Sequence, residues 1–182
     1  MMKRFLKSIT SITLAIAISF PIPAHSMGTG NQYLDAQSGL SYTVYSPKNT
    51  LGFKESSFKL LKCASVGDDW IAVSFKSGKK LLEIYQNRFD LRCSDPGLSK
   101  RLKDIKIGAS VAKVFVYCDP ANVSKYKKCN EADIKSVGGY LLFTAPGASN
   151  LKRTFIQVQG TGGVTYTELV RVAKSLTPIN AK

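Results

Sequence analysis

The chain has 182 residues with 44% hydrophobic content, and its 26 Lys and Arg against 12 Asp and Glu give a net charge of +14. This is one domain's worth of sequence, able to bury a core without help from a metal or an oligomer. The only histidine, His25, lies in a segment expected to be removed, which excludes Ser-His-Asp and Cys-His nucleophiles, histidine general bases and histidine metal ligands from the mature protein.

Residues 1–26 read as a secretory signal peptide. Lys3, Arg4 and Lys7 precede an apolar run from Ile9 to Phe20, followed by Pro21, Pro23 and Ala24-His25-Ser26, with cleavage expected near Ser26. The run falls short of the roughly 20 apolar residues that a membrane span needs. No cysteine stands at the cleavage site, so a lipoprotein is not expected. The mature chain then carries 23 basic against 12 acidic residues, a net charge of +11, and is expected to be soluble, secreted or periplasmic.

Met27 to Ser38 is polar and aperiodic and reads as a flexible leader to a single domain over residues 39–178, with 179–182 as a tail. Ser41–Ser46 alternates and stops at Pro47, a short strand. Ser57–Ala64, Trp70–Phe75 and Lys80–Gln86 are three apolar, β-rich runs separated by turn signals at Gly67-Asp68-Asp69 and Ser77-Gly78, which predicts an antiparallel meander. From Pro96 the period changes. Leu98, Leu102 and Ile105 fall at i, i+4 and i+7 with Lys100, Arg101, Lys103 and Lys106 between them, the pattern of an amphipathic helix with a basic outer face.

Val111–Tyr117 returns to strand, a Lys-rich loop follows with a helical turn near Glu131–Lys135, and Tyr140–Thr144 and Thr154–Gln159 are two more strands. Thr165-Tyr-Thr-Glu168 is a capping box with Val164 and Leu169 as its hydrophobic staple, so a helix begins there. Its buried stripe is expected to be Tyr166, Leu169, Val170, Ala173 and Leu176, and Pro178 ends it. The elements define an α+β domain: a mainly antiparallel sheet of about seven strands packed against a C-terminal amphipathic helix, with a second, shorter helix.

All four cysteines lie in the exported part, and an even count there predicts two disulfides. Three pairings are possible. Cys118–Cys129, which would staple the loop Asp119–Lys128, is favoured, leaving Cys63–Cys93. The absence of C-x-x-C argues against a thioredoxin-like site or a tetrathiolate metal site.

Other motifs dissolve on inspection. Gly160-Thr-Gly162-Gly163 sits where a phosphate loop could, but Thr165 stands where a dinucleotide fingerprint needs glycine, and no Gly-Lys-Ser/Thr follows, so a tight strand-to-helix turn accounts for it. Ser-x-x-Lys recurs at Ser56, Ser77, Ser110, Ser124 and Ser149, a frequency that marks chance in so lysine-rich a chain, and its Ser-Asp-Asn and Lys-Thr-Gly partners are missing. Asp68 and Asp69 read as turn residues rather than an acid pair, and Trp70 as core. Asn122-Val-Ser124 is a glycosylation sequon, expected to be unused.

Asp104 to Leu176 resembles the domain of unknown function found in the extracytoplasmic parts of bacterial anti-sigma factors and related small secreted proteins. Ile107-Gly108 opening the strand Val111–Tyr117, the later strand pair, and the ending Gly163-Val-Thr-Tyr-Thr-Glu-Leu-Val-Arg-Val-Ala-Lys-Ser-Leu176 carry the resemblance. The chain departs from that pattern with Phe155, where the family often has tryptophan, and with its four cysteines. The resemblance implies a non-enzymatic sensing or binding module and carries over no catalytic residue.

The candidate binding residues are Lys125, Tyr126, Lys127 and Lys128 of the disulfide loop together with Lys100, Arg101 and Lys103. Cations interleaved with an aromatic suit an anionic envelope polymer, a membrane surface or a protein partner. The expected protein is a monomeric binding module without metal, nucleotide or other cofactor, and not an enzyme. The competing expectation is a carrier that holds a lipid or other apolar ligand between sheet and terminal helix.

Overall fold

Residues 29–63, 69–91 and 93–179 are described by the structure, a computed structural model. The expected signal segment and the Gly67-Asp68 part of the first turn lie outside them.

Alternating runs become strands because successive side chains point to opposite faces. β2 (Lys54–Lys62), β3 (Asp69–Ser77) and β4 (Lys80–Arg88) form one antiparallel meander, and β5 (Lys100–Ile107), β6 (Ser110–Val116), β7 (Gly139–Ala145) and β8 (Thr154–Thr161) form another. Pairing of β4 with β8 joins them into one seven-stranded sheet, ordered β2-β3-β4-β8-β7-β6-β5. The β3–β4 hairpin closes through Gly78 at φ +56°, the first central position that a two-residue turn of the II′ kind reserves for glycine.

One sheet face carries the core. Ile71, Val73, Leu82, Ile84, Leu141, Val114, Ile156 and Val158 are all fully buried there. The C-terminal helix α4 (Tyr166–Ser175) lies against β5, β7 and β8 and buries Leu169, Val172 and Ala173 on that face. Tyr166, Val170 and Leu176 pack at its margin, and Val172 joins the stripe that the sequence pattern assigned without it. At 0–1% exposure Leu169, Val172 and Ala173 and the sheet residues they face leave the space between sheet and helix filled.

Three expectations change. The segment read as an aperiodic leader contains α1 (Gln32–Gln37), started by the Asn31 side chain, which accepts from the amides of Tyr33 and Leu34. Gln37, 3% exposed, donates to the Tyr42 carbonyl and accepts from the Val44 amide, so α1 is docked rather than loose. The early strand is shorter and later than read. β1 (Tyr45–Pro47) pairs with β9 (Leu176–Pro178), so the last helix ends at Ser175 and Pro178 sits in a strand.

The largest correction concerns residues 98–106, where the basic amphipathic helix becomes β5. Arg101 opposes Phe115 and Asp104 opposes Lys113, so Leu102 and Lys103 together face the single residue Val114. This bulge resets the alternation and brings Leu102, Ile105 and Ile107 onto the core side. The three-residue interval from Leu102 to Ile105 therefore imitates a helical period. The shorter helices stand elsewhere, as α1, α2 (Val123–Lys128) and α3 (Ile134–Val137), the last preceded by a 3-10 turn at Glu131–Asp133.

Candidate binding surfaces

The chain leaves β6 through Cys118 and returns at Cys129, and the disulfide between these two closes the loop that holds α2. The Asn122 side chain accepts from the Lys125 amide and caps the N-terminal end, which occupies the sequon's asparagine. At the other end the Lys100 ammonium donates to the carbonyls of Lys127 (2.9 Å) and Cys129 (3.0 Å), groups that a helix terminus leaves without partners. Lys100 also stands 5.6 Å from the Tyr126 ring centre. The structure thus joins β5 to the disulfide loop and uses Lys100 as a clamp between them.

Two further candidates are also engaged internally. Arg101 makes a bidentate contact to Asp104 at 2.7 and 2.9 Å. Lys103 pairs with Glu131 and lies 4.8 Å from the Tyr166 ring centre. The Glu131 contact holds the Lys103 ammonium above its usual range and its own carboxyl below it. Tyr126 is half-buried against the core. Lys125, Lys127 and Lys128 are exposed, and no acid among the described residues pairs with them.

A second surface escaped the sequence reading. Among the described residues no helix covers the sheet face opposite α4, and the strand registers arrange that face in rows. One row runs Asn87, Phe155, Thr144; the next runs Tyr85, Gln157, Leu142, Lys113; a third runs Ser74, Glu83, Gln159, Tyr140, Phe115. Trp70 is half-buried on this face, 5.7 Å from Tyr85, rather than in the core where the sequence placed it. Phe115 stacks on Tyr140 at 4.7 Å.

The polar members form a chain of hydrogen bonds. Ser94 donates to Gln157, Gln157 to Gln159, and both Gln159 and Ser74 donate to Glu83. Burial pushes the Tyr85 hydroxyl up, with the Glu83 charge adding to it, and burial with Tyr140 and Tyr85 nearby does the same at Tyr117. Both phenols therefore stay neutral at physiological pH. The second disulfide, Cys63–Cys93, anchors a strap over this face, which Ser94 and Ser99 tie down through Gln157 and Tyr140. Beside the strap lies a cleft of about 360 Å³. The signal that could have found it is the set of large apolar residues off the core face, Val111 and Phe115 of β6, Leu142 of β7 and Phe155 of β8, which an antiparallel sheet with one solvated face does not need.

The remaining motifs resolve structurally. A Cβ at Gly162, at φ +66°, would lie 1.9 Å from the Lys79 carbonyl oxygen, and one at Gly160 would meet Val164 at 2.5 Å, so close packing accounts for the glycines before α4. The Ser-x-x-Lys hydroxyls of Ser56, Ser110 and Ser124 donate to Ser74, Thr144 and Asn122. Among the described residues no helix is long and apolar enough to cross a membrane, and no group of three or more acids or cysteines is placed to hold a metal. Compared with protein-family models, with curated proteins and with solved structures, the chain matches none.

Proposed function

We propose that this protein is a non-enzymatic, secreted or periplasmic binding module that engages an anionic envelope polymer or membrane surface through the lysines of α2. The observation that carries the reading is the state of Lys125, Lys127 and Lys128: exposed, without an acid partner among the described residues, and held on one short helix by a disulfide and by the Lys100 clamp. A preorganised cluster loses little entropy on binding, so more of its electrostatic attraction appears as affinity. The two disulfides are compatible with export, the apolar segment at residues 9–20 supports it, and the resemblance of residues 104–176 to a sensing module points toward binding rather than catalysis.

A lysine near an anionic surface contributes about 1 kcal/mol, so removing three charges costs about 3 kcal/mol, on the order of a hundredfold in affinity. The test compares wild type with the triple variant Lys125→Gln, Lys127→Gln, Lys128→Gln on vesicles of phosphatidylglycerol mixed with phosphatidylcholine. Binding should fall steeply with the triple change and with added salt, while the melting temperature stays nearly constant. Equal binding by the triple variant at low salt refutes the reading.

A further inference from the structure

We propose that the cleft beside the disulfide-anchored strap binds a small apolar molecule bearing a carboxylate, independently of the lysines on α2. Its floor and walls are Phe115, Leu142, Phe155 and Val111, contributed by three adjacent strands, with Ser94 and Pro96 of the strap closing one side. Neighbouring strands lie about 4.8 Å apart and alternate residues about 6.7 Å apart, so the floor spans roughly 10 by 13 Å. Its volume of about 360 Å³ falls at the lower end of the range for small-molecule sites.

The polar groups select the head group. Lys113 lines the cleft, is exposed, and has no acid partner among the described residues. Its cross-strand neighbour Asp104 is held by Arg101. Gln157, 1% exposed, also lines the cleft. Its side-chain oxygen accepts from Ser94 and one amide hydrogen goes to Gln159, which fixes the amide plane and leaves the second N–H without an acceptor among the described residues. An ammonium and an amide donor over an apolar floor favour an anion with an apolar body, while the Glu83 carboxylate stands beyond Gln159 and takes its hydrogen bonds from Gln159 and Ser74. This cleft lies on the face opposite α4, so it owes nothing to the filled space between sheet and helix.

The probe is decanoate, with decyltrimethylammonium as the cationic control, titrated calorimetrically below micelle-forming concentrations and checked by native mass spectrometry for a single bound molecule. Wild type should take up one decanoate saturably and discriminate against the cation. Lys113→Glu should weaken decanoate at least tenfold. Val111→Trp should also weaken it at least tenfold by filling the mouth, and because Val111 is 58% exposed that variant should keep its melting temperature. The α2 triple variant should bind decanoate as wild type does. Absence of saturable uptake, equal uptake of the cation, or undiminished binding by Lys113→Glu and Val111→Trp overturns the assignment. Loss of decanoate binding in the α2 triple variant overturns it too, because the anion would then belong to the basic surface.

Discussion

Thr165→Ala tests the most completely specified local element, the start of α4. Thr165 Oγ1 accepts from the Glu168 amide at 3.2 Å, while the Glu168 carboxylate accepts from the Thr165 amide at 2.7 Å and from the Lys80 ammonium at 2.7 Å. Alanine removes the acceptor for a first-turn N–H, which costs about 1 kcal/mol, and leaves the ion pair without its hydroxyl neighbour at 3.0 Å. For a chain of this size that corresponds to a fall in melting temperature of about 2–4 °C. Because Thr165 and Glu168 share one network, the double variant with Glu168→Ala should lose less than the sum of the two singles by at least about 0.5 kcal/mol. Equilibrium urea unfolding with both disulfides intact measures all three. A loss below about 0.3 kcal/mol for Thr165→Ala, or strict additivity, would refute the claim that the box holds the helix.

Glu168 also predicts a pH dependence. Burial raises its carboxyl, but the hydrogen bonds from Lys80 and Thr165 outweigh that and hold it below its ordinary value of 4.5. The unfolded chain therefore takes up the proton first, so the contribution is present in full above about 4.5 and is lost as pH falls through the lower folded value. Denaturation midpoints between pH 3 and 6 should show a slope that Glu168→Gln reduces. Gly162→Ala places a Cβ 1.9 Å from the Lys79 oxygen at a positive φ, so it should cost more than about 2 kcal/mol by the same urea assay, whereas Gly97→Ala, with open space around it, should cost less. Replacing Cys118 and Cys129 together by serine opens a loop of separation 11, worth about 3 kcal/mol in unfolded-chain entropy. It should also weaken vesicle binding, and unchanged binding would show that the disulfide does not organise the lysines.

The outline of the fold was legible wherever a local rule decided the outcome. The capping box at Thr165, the turn at Gly78 and the two disulfides each rest on residues whose chemistry admits few alternatives. β5 was misread because a bulge is a relation between two strands: nothing within Leu98–Ile107 says that two of its residues will share one partner on β6. α1 was missed for a similar reason, since Asn31 caps it locally but its anchorage depends on Gln37 reaching backbone at Tyr42 and Val44. The cleft required even more distant information. Phe115, Leu142 and Phe155 are ordinary strand residues until the β4–β8 and β7–β8 pairings show that they share the face opposite α4, which no helix covers among the described residues.

The same topology separates charge that serves the fold from charge free to serve a partner. The edges of the seven-stranded sheet are β2 and β5, where unpaired backbone invites another strand. Both carry a bulge, and both are basic: Lys54, Lys59 and Lys62 on one, Lys100, Arg101, Lys103 and Lys106 on the other. Cations and bulges on edges discourage pairing between molecules, which gives these residues a structural purpose whatever the protein binds. Lys62, Arg101 and Lys103 are in addition neutralised by nearby acids. Neither account covers Lys125, Lys127 and Lys128, which are on a helix, or Lys113, which is on an interior strand. A test of total charge would mix the two populations; substitutions confined to α2 and to Lys113 separate them, and each addresses a different proposed partner.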